Sequence, residues 1–147
     1  MELEAPTKPH ANVVVLAEDD DDTRQLIAAF LRRDGYEVVE VEDGGALDFF
    51  LNAMYAQDKE RPALILSDIR MPGCNGLEVV AHVRERDTQV PIVLFSAYMD
   101  GPTRREAENL GVSALIGKPF ALEELRRKVI ELVPPPLDDL DEISFTD

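Results

Sequence analysis

The chain has 147 residues, 45% of them hydrophobic, and its 30 acidic against 15 basic side chains leave a formal charge of −15. That length suits one domain with a core large enough to fold without disulfide or metal staples, and the single cysteine, Cys74, fits a reducing cytoplasm. A pI near 4.4 argues against direct binding to nucleic acid or an anionic membrane, and the sequence has neither the long apolar run of a membrane span nor the basic-then-apolar start of a signal peptide.

Residues 1–12 form a polar N-terminal arm, expected to be disordered. Val13 to Ala17 (VVVLA) is β-branched and continuous, the pattern of a strand buried on both faces. Five acids follow from Glu18 to Asp22. One of Asp20 to Asp22 is expected to cap the first helix, with its neighbours favouring the positive helix end. That helix carries Leu26, Ile27, Phe30 and Leu31 at helical spacing, and Gly35 is placed to end it. YEVVEV reads as the second strand, and the next helix presents Leu47, Phe50, Leu51 and Met54 on one face. The third pair is the strand ALILS and a helix holding Leu77, Val80 and Val83. IVLF then precedes a weaker helix around Thr103 to Leu110, and SALIG precedes a last helix with Leu122, Leu125, Val129 and Leu132.

Five β-then-α units in a row call for an α/β fold, a doubly wound parallel sheet with helices on both faces. The flavodoxin-like strand order 2-1-3-4-5 is expected, and five units are too few for an eight-stranded barrel. The folded part is placed at residues 13–133. Beyond it, residues 134–147 (PPPLDDLDEISFTD) contain five acids and no base, a composition expected to give a disordered tail. Alternatives are a linker to a further domain, or a docking peptide built on Leu137, Leu140, Ile143 and Phe145.

In such sheets the binding crevice lies outside the carboxyl ends of the strands. The first strand exits into Glu18 and Asp19, the third into Asp68, the fourth into Ser96, and the fifth into Gly117-Lys118-Pro119. Three carboxylates, a hydroxyl and an ammonium thus converge on one rim. Acids packed so closely repel unless a cation sits among them, and hard oxygen ligands suit Mg²⁺ above all, with Mn²⁺ as an alternative. Nothing resembles a zinc site, since His10, His82 and Cys74 are scattered. A carboxylate such as Asp68 can attack a phosphoryl group to give an acyl phosphate. Lys118 and a metal ion would neutralise the transferred group, and Ser96 would hydrogen-bond one of its oxygens.

The acidic pair in VVVLAEDD, the run LILSDIRMPGCNG, the hydroxyl in IVLFSA and the lysine in GKPF stand in order at the exits of the expected strands. Together they give the chain, from roughly Val13 to Val133, a clear resemblance to the receiver domain of two-component response regulators. The resemblance implies phosphorylation of Asp68 by a sensor histidine kinase or a histidine phosphotransfer protein. It implies that Asp19 binds Mg²⁺ directly, Glu18 mainly through water, and Arg70 through its backbone carbonyl. Ser96 becomes the switch hydroxyl, Lys118 the phosphoryl contact, and the Lys118–Pro119 bond cis. Phosphorylation would reshape the surface made by the fourth helix, fifth strand and fifth helix for a downstream protein. The domain is then a cytoplasmic signalling module and not an enzyme, beyond slow loss of its own phosphate.

Three features depart from the family pattern. Leu115 stands where an aromatic switch residue is common, and Glu18 replaces the commoner Asp. Arg70 and Tyr98 are bulky and flank the site, where they are expected to crowd an attacking water and lengthen the life of an aspartyl phosphate. A phosphatase of the haloacid dehalogenase kind is disfavoured, because its second acid would fall on Arg70. Five acids after the first strand likewise disfavour a flavodoxin-type phosphate loop. A fragment of a larger regulator or hybrid kinase, or a pseudo-receiver that binds partners without phosphorylation, stays open.

Overall fold

In the computed structural model, residues 12–58 and 61–135 are described. The arm at 1–12 and the acidic tail at 134–147 therefore lie outside the described residues, save Asn12, Pro134 and Pro135. The elements run β1 (Val13–Ala17), α1 (Asp21–Arg33), β2 (Glu37–Val41), α2 (Gly44–Ala53), a π-helical turn (Met54–Asp58), β3 (Leu64–Asp68), α3 (Gly76–Arg84), β4 (Ile92–Ser96), α4 (Gly101–Asn109), β5 (Ala114–Gly117) and α5 (Leu122–Leu132). The five strands form one sheet in the order β2-β1-β3-β4-β5, as expected, with every pair parallel.

Side chains alternate across a strand, so a sheet covered on both sides needs two apolar sets. Val13, Val15, Ile65 and Leu94 point into one layer with Leu47 and Leu51 of α2 and Val80 and Val83 of α3. Val14, Leu16, Leu66 and Phe95 point into the other, with Ile27 and Leu31 of α1 and Leu125 and Val129 of α5. β1, β3 and β4 are buried along their whole length. That explains the unbroken apolar runs with which they begin, while edge strand β2 keeps charged residues at Glu37 and Glu40.

Helix starts follow side-chain caps. Asp20, Asp43, Asn75 and Asp100 each accept the backbone N–H three residues on, which satisfies one of the unpaired donors of a helix N-terminus. Gly35 follows α1 with φ of 99°, a conformation that L side chains rarely adopt.

Two helical faces differ from the sequence expectation. On α1 the buried residues are Arg24, Ile27, Ala28 and Leu31, whereas Leu26 is 57% exposed. At about 100° per residue, positions 24, 27, 28 and 31 share one stripe and 26 falls outside it. Met54, expected to continue α2, instead opens the π-helical turn, where it and Tyr55 are still buried. α4 also begins before Thr103, because Asp100 caps it and Pro102 fits its first turn.

Candidate functional site

Asp68 is the last residue of the central strand β3, which places its carboxyl at the rim, 5% exposed. Glu18, the first residue past β1, is 1% exposed. Its N–H donates to the Val41 carbonyl of β2, and its Oε2 accepts the N–H of Asp20. Asp19 beside it faces solvent. A carboxylate oxygen from each of Glu18, Asp19 and Asp68 can be chosen so that all three lie within 4.8 Å of one another.

Lys118 supplies the cation this arrangement demands. It follows β5, and its N–H donates to the Ser96 carbonyl at 2.8 Å, which fixes the root of the side chain at the end of β4. Its Nζ donates to Asp68 Oδ2 at 2.6 Å and to Glu18 Oε1 at 2.9 Å, 5.4 Å from the centre of the buried Phe95 ring. Burial disfavours the ammonium, but its bonds to Asp68 and Glu18 outweigh that and hold the lysine pKa above its ordinary value. Asp19 is pushed the other way from a comfortable carboxylate: partial desolvation at the rim first, then the neighbouring Glu18, raise its pKa. The Lys118–Pro119 peptide is cis, as expected.

The remaining rim residues frame this centre. Asp68 Oδ1 accepts the N–H of Arg70 at 3.0 Å, so the backbone that carries the Arg70 carbonyl is tied to the same carboxylate. The Arg70 guanidinium lies 4.9 Å from the centre of the Tyr98 ring, joining the β3–α3 loop to the β4–α4 loop. Ser96, the last residue of β4, is buried, and its Oγ accepts the Tyr98 N–H at 3.2 Å. The β3–α3 loop leans on the start of α2, where Gly44 N–H donates to the Pro72 carbonyl. A Cβ on Gly44 would stand 1.6 Å from the Cys74 carbonyl oxygen, so only glycine permits this approach. Cys74 is a partly buried filler whose thiol pKa is raised, chiefly by burial. His82 lies half-exposed on α3 against Asp48, away from the rim.

The structure thus brings Glu18, Asp19, Asp68 and Lys118 into one cluster and sets Ser96 and Arg70 at its border. Sequence reasoning missed Arg24. The signal was available, since Arg24 stands three, four and seven residues before the buried Ile27, Ala28 and Leu31, a spacing that puts a charged side chain on the core-facing stripe.

A family model of the response regulator receiver domain matches residues 14–130. The chain belongs to this family. Among curated proteins, the receiver is 33% identical over 122 residues to the C4-dicarboxylate transport transcriptional regulatory protein DctD of Pseudomonas aeruginosa, covering 81% of the chain but 25% of that protein. It is 26% identical over 121 residues to sporulation initiation phosphotransferase F of Bacillus subtilis, covering 82% of the chain and 93% of the relative. The chain therefore spans about a quarter of the first relative and nearly all of the second. Among solved structures, the chemotaxis response regulator CheY4 of Vibrio cholerae superposes with a TM-score of 0.68 at 27% identity, covering 83% of the receiver and 98% of CheY4. Receivers of this family are signalling domains of two-component systems. Among the described residues, no helix of this one is long and apolar enough to cross a membrane.

Proposed function

We propose that this receiver accepts a phosphoryl group on Asp68 from a phosphohistidine, in a reaction that depends on Mg²⁺. The observation that carries the reading is the Lys118 ammonium seated between Glu18 and Asp68. A cation already bridges two of the three acids, and the oxygen-only donor set suits a hard divalent ion. Glu18, Asp19 and Asp68, with the backbone carbonyl of Arg70, would hold Mg²⁺, or Mn²⁺ in its place. Bound there, the ion would neutralise charge on the oxygens of the transferred group.

In the transfer, a carboxylate oxygen of Asp68 attacks phosphorus and forms the new P–O bond of an acyl phosphate. The P–N bond to the donor imidazole breaks, and its electron pair stays on the imidazole nitrogen. Lys118 then follows the charge from the carboxylate to the phosphoryl oxygens. Ser96 Oγ gives up its bond from the Tyr98 N–H and donates its own proton to one phosphoryl oxygen. That exchange moves the β4–α4 loop and shifts the receiver between two conformers. Leu115, partly buried against the core, has no polar tip, so the α4-β5-α5 face is reshaped through the Ser96 and Tyr98 loop. The donor is a sensor histidine kinase or a histidine phosphotransfer protein, and the reader is a downstream protein on that face. This function belongs to the cytoplasm and needs no direct contact with nucleic acid.

Incubation with acetyl phosphate and Mg²⁺, followed by intact-mass measurement, tests the reading. The wild-type chain should gain one phosphoryl group and Asp68→Asn should gain none. Equal gain in both, or gain in neither, rejects Asp68 as the acceptor.

A further inference from the structure

Arg24 sits in the first turns of α1, a position where helices favour acids over bases. It is 6% exposed, and every nitrogen of its guanidinium has a partner. NH1 donates to the backbone carbonyl of Glu18 at 3.0 Å, NH2 lies 2.9 Å from Asp21, and Nε donates to Glu40 of β2 at 3.2 Å. Arg32, about two turns further along α1, holds the other oxygen of Glu40 at 3.0 Å. The Glu18 peptide is thus gripped on both sides, its N–H by the Val41 carbonyl of β2 and its C=O by Arg24. Both grips lead to the edge strand.

A buried cation whose donors are spent on one carbonyl and two carboxylates is an orienting device. We propose that Arg24 is a positioning residue for the acidic site, holding the Glu18 backbone so that the Glu18 and Asp19 carboxylates face Asp68, with Glu40 fixing the guanidinium from β2. This rests on the reading of Glu18, Asp19 and Asp68 as a divalent-cation site. Arg24 touches neither the ion nor the phosphoryl group. It acts through the carbonyl of a residue that does.

Charge and position predict opposite signs. If Arg24 mattered only as a nearby positive charge, its removal would strengthen the pull of three carboxylates on a divalent cation. If it positions Glu18, removal weakens binding although the site grows more negative. A lysine keeps the charge but not the three-way fork, so it separates the two.

The test is titration of the unphosphorylated 147-residue chain with Mn²⁺, following the free-ion electron paramagnetic resonance signal, alongside thermal melts. Arg24→Lys and Arg24→Met should both bind Mn²⁺ roughly tenfold more weakly, the scale at which partners of metal ligands act. Glu40→Gln, which keeps an acceptor for Nε but loses its charge, should weaken binding in the same direction and by less. Unchanged affinity in Arg24→Lys, or tighter binding in Arg24→Met, overturns the proposal. Should neither Arg24 variant give a native melt, Glu40→Gln decides alone, titrated in about 1 M KCl to screen the lost charge: weaker binding there supports the proposal and unchanged binding overturns it. A wild-type chain that takes no Mn²⁺ rejects the metal site and this inference together. One that binds Mn²⁺ yet gains no phosphoryl group rejects the phosphorylation reading and leaves Arg24 in place.

Discussion

Two buried carboxylates lie at opposite ends of the same sheet, and they are treated in opposite ways. Asp87, in the loop entering β4, is 1% exposed. Its Oδ1 accepts the N–H groups of Gln89 and Val90, and its Oδ2 accepts Tyr55 OH at 2.7 Å and Arg61 Nε at 3.1 Å. Two of these donors belong to the loop's own backbone, and the others tie the turn after α2 and the entry to β3 to the same acid. The Tyr55 hydroxyl is held far above its ordinary pKa, by burial first and then by Asp87, so it remains a donor throughout. Asp68, where β3 leaves the sheet, has one backbone donor from Arg70 and one movable ammonium from Lys118. It also faces two more acids. The Asp87 cluster is closed and holds the fold together, whereas the Asp68 cluster sets three carboxylates against one ammonium. A buried acid whose acceptors are filled by fixed donors acts as a structural pin, and one that shares a flexible side chain with a second acid does not.

Breaking that contrast should give unequal results. Asp87→Ala takes the carboxylate from Arg61 Nε and from the buried Tyr55 hydroxyl and removes the acceptor of two backbone N–H groups, so a loss of about 3–5 kcal/mol in folding stability is expected. Urea unfolding monitored by circular dichroism measures it, and a loss no larger than that of a surface substitution would contradict the description of Asp87 as a pin. At the other end the Arg70–Tyr98 stack joins two loops that border the site. A cation–π contact of this exposed kind contributes about 0.5–1 kcal/mol. The double variant Arg70→Ala/Tyr98→Ala should therefore hydrolyse its aspartyl phosphate about two- to fivefold faster, if the stack must open for water to enter. The decay of phosphorylated protein after removal of acetyl phosphate reads this directly. The smallest effect has the opposite sign to the first. Burial and Glu18 raise the Asp19 pKa, so the folded protein disfavours the Asp19 charge at neutral pH and gains stability as pH falls through that raised value. Asp19→Asn should therefore stabilise the metal-free chain, by about 0.5 kcal/mol once solvent screening is allowed for. The gain should vanish at a pH below the unfolded-state carboxylate range, where the wild-type side chain is already neutral.

Much of the rim was legible because strand ends punctuate the sequence. Apolar runs fix where β1, β3 and β4 stop, and the residues just past or at those ends are Glu18, Asp68 and Ser96. Lys118 followed from the same reasoning at β5. Arg24 and Asp87 were not legible in that way, since each draws its meaning from partners far away in the chain: Glu40 for one, Tyr55 and Arg61 for the other. Leu26 was misplaced for a related reason. Apolar character alone put it on the buried face, when the stripe facing the sheet passes through a charged residue, Arg24, in its stead.

The −15 charge divides along the same line. Composition alone determined that the chain carries twice as many acids as bases, and local spacing determined five β–α units with acids, a serine and a lysine at their exits. These depend on short-range chemistry: side-chain periodicity, caps and the burial of apolar runs. Only the tertiary structure decided which acids are filled, which are crowded, and which cation stands between them. Parallel pairing joins residues 50 and 100 positions apart, Lys118 to Asp68 and Lys118 to Glu18. No local pattern records such a distance, because it is the register of the sheet that sets it.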